Sequence, residues 1–178
     1  MTASPLLLAL AIVEGHHLLG LVDEFIALLD GPRDAGDAAL NRLAPDPYPD
    51  DAEAARDYRR ATRDDLFDQR LADALEVRTT LEIFEHDTIE HDAESVDAES
   101  GDAESSEADP LATRPISIDP AHLDAWLRTL AAIRLVLASR LGIGVHDTHA
   151  ADDPRFSTYD WLGYRLDHLI GLADRNTG

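Results

Sequence analysis

Residues 121–143 read AHLDAWLRTLAAIRLVLASRLGI, and this stretch decides the fold. Its apolar residues recur at helical spacing and occupy most of the circumference of a helix. The main stripe consists of Leu123, Trp126, Leu127, Leu130, Ile133, Leu137 and Leu141, with Leu135 and Val136 outside it. Because such a helix needs cover on several sides, the stretch predicts the central helix of an all-α (mainly α) bundle. Capping residues mark both ends of this helix: Asp119 and Pro120 are typical of a helix start, and Gly142 is typical of a helix end.

The N-terminal part of the chain predicts another helix. Ser4 before Pro5 suits its start and Gly31 suits its end. Helical spacing is clearest over 16–29, in Leu18, Leu21, Val22, Phe25, Leu28 and Leu29. Residues 6–12 form a short apolar run, which periodicity alone does not assign to a strand or to a buried helix.

A loop at 31–39 leads to the segment LAPDPYPDDAEAARDYRRATRDDL at 43–66. Three prolines hold the backbone around Tyr48 extended, because each ring fixes φ and restricts the residue before it. Asp50 with Glu53 then matches a capping box, which predicts an abrupt helix start.

Two more helices follow from capping signals and apolar spacing. Thr62 with Asp65 predicts the start of a long helix. Its buried side is expected to hold Phe67, Leu71, Ala74 and Leu75, with Leu81 and Phe84 near its end. After a polar loop at 145–155, Ser157 with Asp160 predicts the start of the last helix, buried through Tyr159, Leu162, Leu166, Leu169 and Ile170. The expected architecture is a single domain over 1–178, a bundle of about five helices.

An acidic stretch interrupts this bundle. Eleven acids occur from Glu85 to Asp109, and the tetrapeptide Asp-Ala-Glu-Ser begins at Asp92, Asp97 and Asp102. Little apolar surface and much like charge predict a disordered acidic insertion at 85–115.

Composition excludes several classes of function. A net charge of −21 argues against direct nucleic-acid or anionic membrane partners, because both would be repelled. The absence of cysteine excludes disulfides and thiolate chemistry. The apolar run at 5–13 lacks a preceding basic region and is too short to span a membrane, so we expect a cytoplasmic protein.

No catalytic, cofactor-binding or metal site is predicted. His146, Asp147 and His149 have residue types that bind zinc, and His16 or His17 could add a ligand, but a solvated loop explains them more simply. Sequence patterns of hydrolase nucleophiles, phosphate-binding loops and zinc peptidases do not occur, so we expect no enzyme.

Several charged and aromatic residues outside these patterns are candidates for a structural role or for contact with a partner. Arg134, in the most apolar helix, should find a carboxylate or reach the surface. Arg59, Arg63 and Asp65 could be its neighbours in a polar network or could form a face that binds a partner. The simplest assignment of both tryptophans, Trp126 and Trp161, is to the core, although tryptophan also anchors interfaces.

Three segments together resemble a known family. They are Leu40 to Leu66 with its Pro-Tyr-Pro turn, the central helix at 121–143, and YDWLGYRLDHLIGLA at 159–173. With HHLLGLVDEFIALLDG at 16–31, they resemble the actinobacterial AosR family of oxidative-stress regulators, formerly listed as a domain of unknown function.

The resemblance implies a regulator that acts by binding a protein, with a sigma factor as the partner and Tyr48, Arg59, Arg63 and Asp65 as a partner-binding face. Family members respond to oxidants through a cysteine pair, which this chain lacks. Genes of the family commonly lie beside a Clp protease adaptor, so support of proteolysis is an alternative. A homo-oligomeric helical module, such as a homodimer, is another.

Overall fold

The computed structural model describes residues 4–34, 36–45, 50–58, 62–85, 109–144, 149–150 and 152–177. The elements in chain order are β1 (Leu6–Ala11), α1 (Ile12–Asp30), α2 (Ala38–Leu43), α3 (Ala52–Tyr58), α4 (Asp64–Leu81), β2 (Thr113–Ile118), α5 (Leu123–Arg140) and α6 (Ser157–Thr177). Within the described residues the fold is therefore mainly α, as predicted, with six α-helices and a two-stranded sheet.

The sheet joins the N-terminal strand to the segment before α5. β1 pairs with β2 in antiparallel orientation, from Leu6 opposite Ile118 to Ala11 opposite Thr113. Alternate side chains of β1 point into the core, which assigns residues 6–11 to a strand. β2 was not predicted, and the boundary of the acidic insertion at 115 is wrong because residues 113–115 belong to this strand. Residues 86–108 of that insertion lie outside the described residues.

α5 is the central helix, as predicted. It packs against α2, α4 and α6, and also touches α1. Trp126, in the first turn of α5, is fully buried, which confirms the assignment of this residue to the core. The buried face holds fewer leucines than expected, because Leu127 and Leu137 are only half-buried. Small residues are buried there as well: Ala125, Thr129, Ala132 and Ala138.

Several predicted helix starts are displaced. α1 begins at Ile12, so Ser4 and Pro5 do not start it. Asp51, and not Asp50, accepts a hydrogen bond from the Glu53 N–H at the start of α3, at 3.1 Å. The predicted Thr62 cap is also wrong, because the residue preceding α4 is already helical and has no side-chain cap.

The last helix shows the same kind of displacement. The Asp153 carboxylate caps a short 3-10 turn, Pro154–Phe156, by accepting from the Arg155 N–H. Ser157 is therefore the first residue of α6 and not its cap.

Other signals hold. Asp119 accepts from the Ala121 N–H at 2.8 Å and caps the turn that leads into α5. Gly142, with φ of 73°, follows the end of α5 in the left-handed conformation that favours glycine. α2 was not predicted, and its first two residues fall in the loop expected at 31–39. Its cap is Asp37, whose second carboxylate oxygen accepts from Arg140 of α5 at 2.6 Å.

The buried faces of α4 and α6 differ from the expected ones at single positions. Leu75 and Ile170 are exposed, whereas Val77 and Arg165 are buried. The predicted end of α4 is confirmed, since it finishes at Leu81 before a 3-10 turn, Glu82–Phe84.

Candidate functional site

A surface groove lies where the first turns of α1 meet the first turns of α6. Its volume is about 280 Å³. The residues that line it, and that define the α1–α6 groove, are Val13, Glu14, His17, Ser157, Thr158 and Trp161. The β1 strand runs directly into α1, so the position of the groove is fixed by the sheet as well as by the helices.

Glu14 fixes the floor of the groove. Its Oε1 accepts from the indole Nε1 of Trp161 at 3.0 Å and from the guanidinium of Arg165. Its Oε2 accepts from the Ala11 N–H at 3.0 Å, which also closes the start of α1. Burial of Glu14 favours the neutral acid, but the hydrogen bonds it accepts, led by that from Arg165, outweigh burial and hold its pKa below the usual value.

Arg165 stabilises this arrangement through its ion pair with Glu14. Its side chain is about one-tenth exposed, and its guanidinium lies 5.8 Å from the centre of the Trp161 ring. A buried guanidinium is stable only when paired, so Arg165 and Glu14 depend on each other. Together they hold the Trp161 indole in one orientation.

The open side of the groove is apolar. Val13 is 42% exposed, and its N–H donates to the carbonyl of Pro110 at 3.0 Å. Leu111, which follows Pro110 in the chain, is 75% exposed. The His17 ring lies 5.2 Å from the Trp161 ring. An ordered tryptophan beside exposed aliphatic side chains is typical of the centre of a protein interface.

The predicted partner-binding face is only partly described. Tyr48 and Arg59 lie outside the described residues. Arg63 is half-buried: its Nη2 donates to Asn41 Oδ1 at 3.1 Å and its guanidinium lies over the Phe67 ring. Asp65 is exposed in the first turn of α4. Arg63 therefore has contacts within the chain that join α2 to α4.

The other singled-out residues lie elsewhere. The guanidinium of Arg134 lies 3.8 Å from the centre of the Tyr159 ring, and its Nε donates to the Tyr159 carbonyl at 3.4 Å. Trp161 is half-buried and packs against the core with one side, so the core assignment describes only part of its role.

The predicted histidine cluster is also incompletely described, because His146 and Asp147 lie outside the described residues. His149 contacts Asp160 through Nε2 at 2.9 Å, and its ring stacks on Phe156. Among the described residues, no three potential metal ligands come together. Nor does any helix in that part of the chain combine the length and apolar character needed to cross a bilayer.

Comparison with known families gives one match. The family model described as a domain of unknown function, DUF2017, matches residues 2–173. The chain belongs to the DUF2017 family. The match includes all the residues of the α1–α6 groove, so the groove lies within the DUF2017 domain. No curated protein matches the chain. No solved structure matches it either.

Sequence reasoning did not single out Glu14 and Arg165. Glu14 only interrupts an apolar run, and Arg165 lies one turn after Trp161, outside the buried face predicted for the last helix. The signal available was the spacing of Trp161 and Arg165, four residues apart, which places both on one side of a helix.

Proposed function

We propose that this DUF2017 protein is a non-enzymatic regulator that acts by binding another protein through the α1–α6 groove. The resemblance to the AosR family supplies the context, stress-responsive transcription, and the kind of partner, a sigma factor. Without cysteine, the oxidative trigger must reside in the partner or be lost.

The observation that carries the proposal is the way Trp161 is held. Its polar edge is bound to Glu14 within the chain, and the indole lines an open groove together with the exposed Val13. A side chain that is already ordered loses little conformational entropy when a partner covers it, which makes it an efficient anchor. The exposed Val13 and Leu111 extend the apolar area beside it.

The charge of the chain supports a basic partner surface. At −21 the molecule attracts cationic surfaces over a distance, which speeds encounter. The apolar groove would then supply the short-range contact. We expect binding to slow as ionic strength rises, because salt screens the long-range part.

Affinity capture from the native cytoplasm, with mass spectrometry of the bound proteins, tests the proposal. The variants are Val13→Asp, which places a charge on the rim, and Trp161→Ala, which removes the anchor. Leu75→Asp is the matched control, because Leu75 is a similarly exposed aliphatic residue on α4. We expect wild type and Leu75→Asp to retain a sigma factor, and both groove variants to lose it.

Two results would contradict the proposal. Equal capture of the sigma factor by all four proteins would remove the groove from the interface. Capture of Clp components without a sigma factor or polymerase would replace transcription by proteolysis. Circular dichroism of each variant separates loss of binding from loss of fold.

A further inference from the structure

The outer edge of β1 has unpaired backbone groups in the described structure. The Ile12 N–H donates to the Ala112 carbonyl at 3.0 Å, which continues the ladder one residue beyond the strands. In an antiparallel ladder, hydrogen-bonded and non-hydrogen-bonded pairs alternate. Residues 6, 8 and 10 therefore bond to β2, and residues 7, 9 and 11 direct their N–H and C=O groups outward. The Ala11 N–H agrees, because it donates to Glu14 and not to β2.

The two edges of the sheet differ. Pro115 occupies an outward position near the middle of β2, where it offers no N–H, and Arg114 donates to the Ile83 carbonyl beside that edge. Both features discourage strand addition. β1, with the sequence LLLALA, has no proline and no charge, and Leu7 is 63% exposed. Natural proteins usually protect such an edge.

Among the described residues, two N–H donors at the β1 edge have no partner. The Ala11 N–H is bound to Glu14, and Pro5 has none, which leaves the N–H groups of Leu7 and Ala9. A second copy of the strand, related by a two-fold axis at Leu8, would place Leu7 opposite Ala9 of that copy, and Ala9 opposite its Leu7. Each of these two pairs exchanges two hydrogen bonds, so this register uses all the free donors in four bonds.

We propose that β1 pairs with β1 of a second copy in this register, giving a continuous four-stranded sheet in a homodimer. The isologous arrangement is self-complementary: the large exposed Leu7 meets the small Ala9 on one face, and Leu8 meets Leu8 on the other. Charge favours this surface for contact between two acidic chains, because the strand has no acid and Arg175 lies beside it.

The first residues of β1 border open space. A groove of about 280 Å³ there is lined by Pro5, Leu6, Leu7, Leu172 and Arg175. Pairing of one short edge buries less area than the roughly 1,200–2,000 Å² of stable complexes, so the dimer is weak and forms with rising concentration. The paired residues Leu7, Leu8 and Ala9 do not line the α1–α6 groove, and the inference does not depend on the proposed function.

Sedimentation velocity of the full chain over a concentration series tests the inference. Ala9→Pro removes two of the four hydrogen bonds, and Leu7→Asp brings two like charges together at the edge. We expect each to weaken dimerisation at least about tenfold. Thr113→Asp, an exposed position on β2, is the control and should dimerise as wild type does. A wild type that stays monomeric at all concentrations overturns the inference, and so does a dimer that both edge variants leave intact.

The natural lack of cysteine allows a test of register that does not depend on weakening the fold. In the double variant Leu7→Cys with Ala9→Cys, opposed positions lie close enough for disulfides between copies. Each single variant places the two thiols on a diagonal, beyond the reach of a disulfide. We expect mild oxidation to give a covalent dimer only in the double variant. A covalent dimer formed equally well by either single variant, or by none of the three, contradicts the register.

Discussion

Gly15 is a position where one added methyl group should destabilise the protein. It lies in the buried part of α1, where the Phe84 ring packs directly over it. A Cβ at Gly15 would lie 2.5 Å from Cγ of Phe84 and closer still to two further ring carbons. Carbon atoms in contact are normally about 3.5–4.0 Å apart. Phe84 is fully buried, so its ring moves away only if it shifts within the core.

The expected size of the effect combines two terms. Overpacking of a filled core costs about 1–3 kcal/mol, and an overlap this deep belongs at the upper end. Replacing glycine by alanine inside a helix returns about 1 kcal/mol. Gly15→Ala should therefore lower the free energy of unfolding by about 2 kcal/mol. Gly20→Ala, on the exposed side of the same helix with no atom within 4 Å of the new Cβ, should raise it by about 1 kcal/mol.

Urea unfolding followed by far-UV circular dichroism measures both variants against wild type. Opposite signs for two identical substitutions on one helix can come only from the local environment. Phe84→Leu supplies a further check, because a smaller side chain should relieve part of the cost of Gly15→Ala, with a coupling energy of about 1–2 kcal/mol. A Gly15→Ala protein as stable as Gly20→Ala would refute the close packing of Phe84 on α1.

Three other substitutions have defined expectations. Glu14→Gln removes a carboxylate whose pKa is lowered in the folded state. The variant should be less stable than wild type by a constant amount above pH 4.5, and the difference should shrink as the pH falls through the lowered pKa of Glu14. Urea titrations at several pH values measure this difference, and a difference that does not change with pH would contradict the expectation. Arg128→Ala leaves the buried Asp73 without its ion pair and should cost about 1–3 kcal/mol in the same assay, whereas no loss would mean that the pair is not formed. Gly142→Ala forces a side chain into the left-handed region and should lower the free energy of unfolding by about 1–2 kcal/mol. Gly144→Ala, where the new Cβ would lie in open space, is the control and should not lower it. Equal melting temperatures for the two variants would exclude a strained backbone at Gly142.

Long periodic segments were predicted well because burial of a helix face leaves a repeated signal in the sequence. The central position of α5 and the end of α4 at Leu81 follow from such signals. Caps were predicted less well. Asp50 and Asp51 are equally good caps by type, and only the backbone geometry selects Asp51.

The sheet and the groove show what sequence reasoning misses. β2 is six residues long with Pro115 inside it, and it is a strand because β1 offers it a partner more than a hundred residues earlier. Such pairing leaves no local pattern. The Glu14 cluster likewise brings together residues from α1 and α6, which are 151 positions apart in the case of Arg165.

The pairing of β1 with β2 has a consequence for the order of events during synthesis. The ribosome makes LLLALA more than a hundred residues before β2, the strand that pairs with it and ends at Ile118. Until then Leu6, Leu8 and Leu10 lack their sheet neighbours, so shorter nascent chains expose apolar side chains in this segment. Until β2 has emerged, the unpaired β1 strand is therefore the segment of a growing chain that is prone to aggregate.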